Sequence, residues 1–202
     1  SINQVRILSG RTLEKPQHRT WFVTGEVNNT LSVKSRFQLF DPDDPARYQI
    51  FADLSSEYAL SNHWAIKASL ALDIENNFDE SQRQESDSTL PKVRSNVARY
   101  LADGDSGLEK LIIEGRNTIG RSIHSRAVAG YFETMYAGAG GEVLYWPLKS
   151  RIAVGASVAY AKQRDYDRRL GFLNYDVVTG HISAYWATPY YNFDVAVHAG
   201  QY

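Results

Sequence analysis

The stretch Trp64 to Ile74, WAIKASLALDI, repeats its large apolar side chains at every second residue. Trp64, Ile66, Ala68, Leu70, Leu72 and Ile74 share one side of an extended chain, while Lys67, Ser69, Asp73 and Glu75 fall on the other with Ala65 and Ala71. A period of two predicts a strand with one greasy face. The pattern returns further along. Ile152, Val154, Val158 and Tyr160 oppose Ala153, Gly155, Ser157 and Ala159, whose small size suits a crowded or narrow interior. Val178, Ile182 and Trp186 oppose Thr179, His181, Ser183 and Tyr185, and the alternation predicts Tyr191, Phe193, Val195 and Val197 opposite Asn192, Asp194, Ala196 and His198.

Turn chemistry separates these runs at hairpin intervals. Ser61-Asn62-His63, Pro147-Leu148-Lys149-Ser150 and Thr188-Pro189 are short connections. ENNFDESQRQESDS, Glu75 to Ser88, is acidic and polar with little apolar content, so a longer external loop is expected near 75–96, and a second at 165–174. A helical reading of Val97 to Leu101 or Leu108 to Ile113 is open, but both are short, and the second reads equally well as a strand. The whole chain, 1–202, is expected to be one antiparallel meander of about eight strands, without a repeat or a second domain.

Composition leaves two environments open. At 202 residues and 43% hydrophobic the chain has no run of about 18 apolar residues, the length that a membrane-crossing helix requires. Strands that alternate lipid-facing and lumen-facing residues evade that test. Thirteen Tyr and four Trp suit an interfacial aromatic girdle, and they equally suit the core and edges of a soluble β-sandwich. With 22 basic and 23 acidic residues there is no broad field to attract nucleic acid. Zero Cys excludes disulfide staples, thiolate metal sites and a cysteine nucleophile.

Three groups of residues invite a chemical reading. Ala137-Gly138-Ala139-Gly140-Gly141 has the look of a phosphate-cradling loop, but Glu142-Val143-Leu144-Tyr145-Trp146-Pro147 follows it as a strand rather than a helix, and no Gly-Lys-Ser/Thr ending is present. A tight turn or bulge between paired strands is expected there instead. His18, His63, His124, His181 and His198 are scattered, with neither HExxH nor a close metal-binding pair, so no metal and no cofactor are expected. His181 and His198 could nonetheless share an interior with Asp194, orienting a sugar hydroxyl or serving Ser157 or Ser183 as a base. Asp165 and Asp167 form the one close carboxylate pair of interest for glycan cleavage. Flanking Arg164, Arg168 and Arg169 favour charged carboxylates, and so a salt-linked rim or loop anchor over a proton-donating acid.

Four segments carry a family resemblance: LPKVRS at Leu90 to Ser95, FETMYAGAGGEVLYW at Phe132 to Trp146, AYAKQRDYD at Ala159 to Asp167 and YDVVTGHISAYW at Tyr175 to Trp186. In wording, order and spacing they resemble the C-terminal part of the YjbH/GfcD family of Gram-negative outer-membrane proteins. The resemblance is sharpest from Leu90 to Tyr202 and lies mainly in strand pattern from Val5 to Leu60. It implies part of a transmembrane β-barrel, truncated at both ends relative to the family, that serves exopolysaccharide or capsule assembly and export without catalysing a reaction. Its implied partners are extracellular polysaccharide, outer-membrane lipid and periplasmic capsule-assembly proteins. On that reading Ser157, Gln163, His181, Ser183, Asn192, Asp194 and His198 face the lumen and the glycan, and Arg164, Asp165, Tyr166, Asp167, Arg168 and Tyr175 form its rim. Two alternatives stay open, a barrel-embedded glycan-modifying hydrolase and a soluble β-sandwich binding module.

Overall fold

The computed structural model describes residues 24–39, 46–78 and 96–201. They form nine strands: β1 (Val27–Leu39), β2 (Ala46–Ala59), β3 (Trp64–Asn76), β4 (Gly107–Ile119), β5 (Ile123–Tyr131), β6 (Tyr136–Tyr145), β7 (Ile152–Arg164), β8 (Phe172–Ala187) and β9 (Asp194–Gln201). One helix, α1 (Val97–Asp103), lies between β3 and β4. Each strand pairs antiparallel with its sequence neighbours in a single open meander, β1 to β9. The all-β meander follows the expectation, with nine strands in place of about eight. IHSRAVAGY, which forms β5, alternates too weakly to stand out in the sequence. Leu108 to Ile113 lies in β4 and Val97 to Leu101 in α1, because only the former has strands on both sides to complete its ladder. His18, LPKVRS and most of the 75–96 loop lie outside the described residues.

Period two separates the faces of every strand. Large aliphatic side chains on the outer face stand free: Val33 is 71% exposed, Ile182 69% and Val197 62%. The inner face buries polar groups, among them Gln49, Asp53, Glu114 and Gln163. This inverts the arrangement of a water-soluble domain, where buried polar side chains are the exception. A small apolar cluster of Phe78, Ala98 and Leu101 anchors α1.

Short connections gather at one end of the sheet: Leu60 to His63, Gly120 to Ser122, Trp146 to Arg151 and Thr188 to Phe193. The last of these corrects the expected strand over Tyr191 and Asn192. The Phe193 N–H donates to the Tyr190 carbonyl at 2.9 Å, and Tyr191 and Asn192 between them have φ of 46° and 56°. Two successive left-handed residues are the signature of a tight hairpin turn whose twist matches the strands it joins. The alternation therefore starts at Asp194, and Asn192 sits at the hairpin tip, away from the inner face.

The glycine-rich segment also departs from expectation. Ala137 to Gly141 is regular strand, paired residue by residue with β5 and β7, rather than a turn or bulge. Its glycines permit close approach of neighbouring backbone. A Cβ on Gly138 would collide with the Tyr160 carbonyl oxygen, whereas at Gly141 the nearest atom lies 3.6 Å away. Gly138→Ala should therefore destabilise the sheet by about 1 to 3 kcal/mol, and Gly141→Ala should stay within about 0.5 kcal/mol of the parent. Comparing their denaturant midpoints checks the difference.

Candidate functional site

The inner face carries two polar rows that run across strands in direct register. Arg126 on β5 pairs with Glu142 on β6, Glu142 with Ser157 on β7, and Ser157 with His181 on β8. One step nearer the short turns lie His124, Leu144, Gly155, Ser183 and His198. Period two puts all of these side chains on one side. Between the rows and the turns is a cavity of about 770 Å³, lined among others by His63, Arg116, His124, Arg126, Ser157 and Ser183.

Ion pairs tie this surface together. Glu114 on β4 is met by Lys67 from β3 at 3.1 Å and by Arg126 from β5 at 2.9 Å, and its own neighbour Arg116 closes on the same carboxylate. Arg126 also reaches Glu142 at 3.4 Å. Arg116 and Arg126 oppose each other across the β4–β5 ladder, a repulsive placement that the shared carboxylate offsets. A second cavity of about 1010 Å³ lies over β1 to β4, where Lys34 and Ser69 hold the buried Asp53 and Arg36 bonds Glu109 at 2.7 Å. Glu109 reaches the inner face through a β-bulge: Ser69 pairs with Lys110 and the next residue, Leu70, with Leu108.

Of the residues singled out in the sequence, Ser157, His181, Ser183 and His198 come together on this face, and Asp194 shares its parity. Ser183 Oγ and His198 Nδ1 are hydrogen-bonded at 2.8 Å, and Tyr185 packs edge-on against the His198 ring. Asp194 is four strand residues from His198, about 13 Å away at strand spacing, so it cannot orient that imidazole. Nucleophile, base and orienting acid are thus not assembled. Among the described residues no three His, Cys, Asp or Glu side chains lie close enough to hold a metal ion. Glu114, Arg116, Arg126 and Glu142 do not stand out in the sequence, and His124 does so only as one of five scattered histidines; the i, i+2 spacing of Glu114 and Arg116 in β4 and of His124 and Arg126 in β5 is the available signal, muted because few large apolar residues mark the opposite face.

At the other end of the sheet, the expected rim takes a different form. Arg164 and Arg168 are fully buried and cannot meet a glycan. Arg164 donates to the carbonyls of Leu108, Glu133, Arg168 and Arg169, all at 2.7 to 3.0 Å. Arg168 donates to the carbonyls of Gly104 and Asp105 and forms its ion pair with Glu109 on β4, not with Asp165 or Asp167. The two guanidiniums satisfy backbone acceptors where the 165–171 connection folds over the inner face. Desolvation pushes Arg168 below the ordinary guanidinium pKa, opposed by the Glu109 charge. Asp165 and Asp167 instead accept from the backbone N–H groups of Tyr166 and Arg169. Tyr166 packs on Tyr100 and under the Arg99 guanidinium, with Asn96 donating to its hydroxyl. The Tyr100 hydroxyl donates to the Arg164 carbonyl, and burial raises this phenol to about 12, against a hydrogen bond with Gln163. Gln163 is itself buried beneath this cluster, and Tyr175 meets Tyr136 edge-on. The expected loop also ends earlier than 174, since Phe172 to Asn174 belong to β8.

Arg168→Ala should loosen the 165–171 connection by about 3 kcal/mol, because it strips a buried ion pair and leaves carbonyls without donors. On the order of 100-fold faster tryptic cleavage at Arg169, mapped by mass spectrometry with the strands left intact, is the expected result.

The family model for YjbH, described as exopolysaccharide biosynthesis protein YbjH, matches residues 7–202. The uncharacterized lipoprotein YjbH of Escherichia coli strain K12 is 36% identical over 168 residues, a match covering 80% of this chain and 24% of that protein. The chain thus spans about a quarter of that relative's length. No solved structure matches.

Proposed function

Since this chain belongs to the YjbH exopolysaccharide biosynthesis family, we propose that it is part of an outer-membrane β-barrel that helps assemble or export an exopolysaccharide or capsular glycan without catalysing a reaction. The observation that carries this reading is the inversion of polarity: an exposed aliphatic outer face backed by an inner face that buries ion pairs. Lipid suits such an outer face, and a solvated lumen suits the inner one.

Aromatic placement supports the same environment. Trp64, Tyr145, Trp146, Trp186 and Tyr190 are exposed near the short turns, while Phe37 and Phe172 are exposed toward the opposite end, with Val158, Val178 and Ile182 between them. Belts of aromatic side chains bracketing an aliphatic band are what two lipid–water interfaces favour. By the usual barrel polarity the short turns are periplasmic and the 165–171 end external. The lipoprotein relative from a Gram-negative bacterium is in keeping with an envelope location. Polysaccharide would pass along or rest on the inner face, lipid would surround the outer face, and periplasmic capsule-assembly proteins would meet the turns. No nucleic acid, metal or organic cofactor has a part in this scheme.

The hydrolase alternative draws on the Ser183–His198 hydrogen bond, and the distance to Asp194 weakens it. A sandwich module would need a second sheet over the greasy face, whereas the described residues form one sheet.

Two experiments test the proposal. In outer-membrane insertion assays, Val154→Arg on the outer face should cost about 2 to 4 kcal/mol of folding free energy, whereas Ser157→Arg on the inner face should leave folding yield close to that of the parent. Equal yields, or a protein folded and monomeric in plain buffer, would exclude the membrane assignment. In cells, alanine at His181, Asp194 or His198 should cause only partial loss of surface glycan, since removing a catalytic group typically costs roughly 100-fold or more. A purified protein that cleaves glycan and is silenced by one such change, with folding intact, would falsify the non-enzymatic reading.

A further inference from the structure

Two guanidiniums lie side by side on the inner face, because Arg116 stands directly opposite Arg126 across the β4–β5 ladder. Like charges in that position repel, and the carboxylate that relieves them approaches from one side only. Both arginines donate through Nε to the same atom, Glu114 Oε1, while Lys67 lies 3.1 Å from Oε2. Glu114 is 5% exposed and so holds its cations from beneath.

A guanidinium carries N–H donors on all three of its nitrogens. Arg116 engages Glu114 through Nε, and its two terminal amino groups meet no acceptor among the described residues. Its side chain is 67% exposed, on the wall of the cavity of about 770 Å³ beside the short turns. Arg126 adds one contact, Nη1 to Glu142 at 3.4 Å, longer than the roughly 2.7 to 2.9 Å of a strong charged hydrogen bond. Histidines apart, the charged side chains on that wall are Arg116, Arg126 and Glu142, two cations to one carboxylate. His124, Ser157 and Ser183 bring further donors, and Tyr185 an aromatic ring. Arg126 on β5 and Tyr185 on β8 are three strands apart, roughly 14 Å across the ladder. A ligand reaching from the arginine pair to that ring is a chain of sugars, not a lone ion.

We propose that the Arg116–Arg126 pair is a recognition subsite for an acidic sugar, one whose carboxylate or phosphate oxyanion docks on the open side of the two guanidiniums. The proposal rests on the export function proposed above and names its substrate class. The Arg116 fork can match two oxygens of a planar oxyanion with parallel N–H···O bonds, and Arg126 adds the second positive charge. The hydroxyls of Ser157 and Ser183 are left for the neutral oxygens of neighbouring rings.

Binding measurements on a family-length polypeptide that carries the chain, purified in detergent, test this. The probes are trigalacturonate, a phosphorylated maltotriose, neutral maltotriose and inorganic phosphate. At least one of the two acidic trisaccharides should bind roughly 10-fold or more tightly than maltotriose, and more weakly as salt rises. Arg116→Gln should weaken that binding roughly 10- to 100-fold, with Lys67 and Arg126 still holding Glu114 in register. Arg169→Gln, which removes the same charge from the 165–171 connection, should leave it unchanged. No preference for either acidic sugar over maltotriose, phosphate binding without acidic-sugar binding, or acidic-sugar binding indifferent to Arg116→Gln would each overturn the proposal. The ligand comparison uses the parent protein and so decides even where the variant fails to fold. Failure of the premise looks different: the polypeptide would partition into the aqueous phase and tolerate Val154→Arg, whichever sugar it prefers.

Discussion

Glu114 is the point on which the register of the sheet turns. One carboxylate from β4 receives Lys67 from β3, Arg126 from β5 and its own neighbour Arg116, joining three strands on a single face. A one-residue slip of β3 or β5 against β4 would carry Lys67 or Arg126 to the outer face and leave Glu114 buried without it. Buried ion pairs add little net stability when complete, but breaking one is costly, so the cluster acts chiefly by penalising the wrong alignment. Outward placement of Ile113, Gly115 and Ala127 is the other half of the same choice.

Once that register is set, the inner face becomes a continuous polar track. Arg126, Glu142, Ser157 and His181 follow one another across four strands, each about 4.8 Å from the next. Under the proposed export function, such a track would offer a hydroxyl-rich polymer many weak contacts. At the end opposite the short turns, Arg164 and Arg168 hold the 165–171 connection across the face through backbone carbonyls. Main-chain acceptors do not depend on the identity of the loop side chains, leaving exposed Asp167, Arg169 and Leu170 free to vary without releasing the loop.

Arginine, lysine and glutamate on the inner face are held against one another across strands, Lys67 and Arg126 on Glu114 and Arg126 on Glu142. Ser183 with His198 and Thr118 with His124 place a hydroxyl beside an imidazole, and Asp194, about 13 Å along the strand from His198, does not orient that ring.

Alternation alone determined the strand character of Trp64 to Ile74, Ile152 to Tyr160 and Val178 to Trp186, because side-chain direction in a strand is a local property of the backbone. It likewise placed Ser157, His181 and Ser183 on one side, and Pro147 and Thr188-Pro189 marked chain reversals. Tertiary structure decided the rest, since it depends on what lies across the ladder. Whether Leu108 to Ile113 became strand turned on β3 and β5 being there to pair with it. Gly138 is a close-approach glycine only because the Tyr160 carbonyl lies against it. Glu109 faces inward only through a bulge relative to β3, and Asn192 left the strand because the hairpin needed two left-handed residues. Arg164 and Arg168 read as a charged rim beside Asp165 and Asp167. Backbone carbonyls brought from the connection after α1, from β4 and from the β5–β6 turn made them buried anchors, and no local pattern encodes an acceptor that arrives from more than thirty residues away.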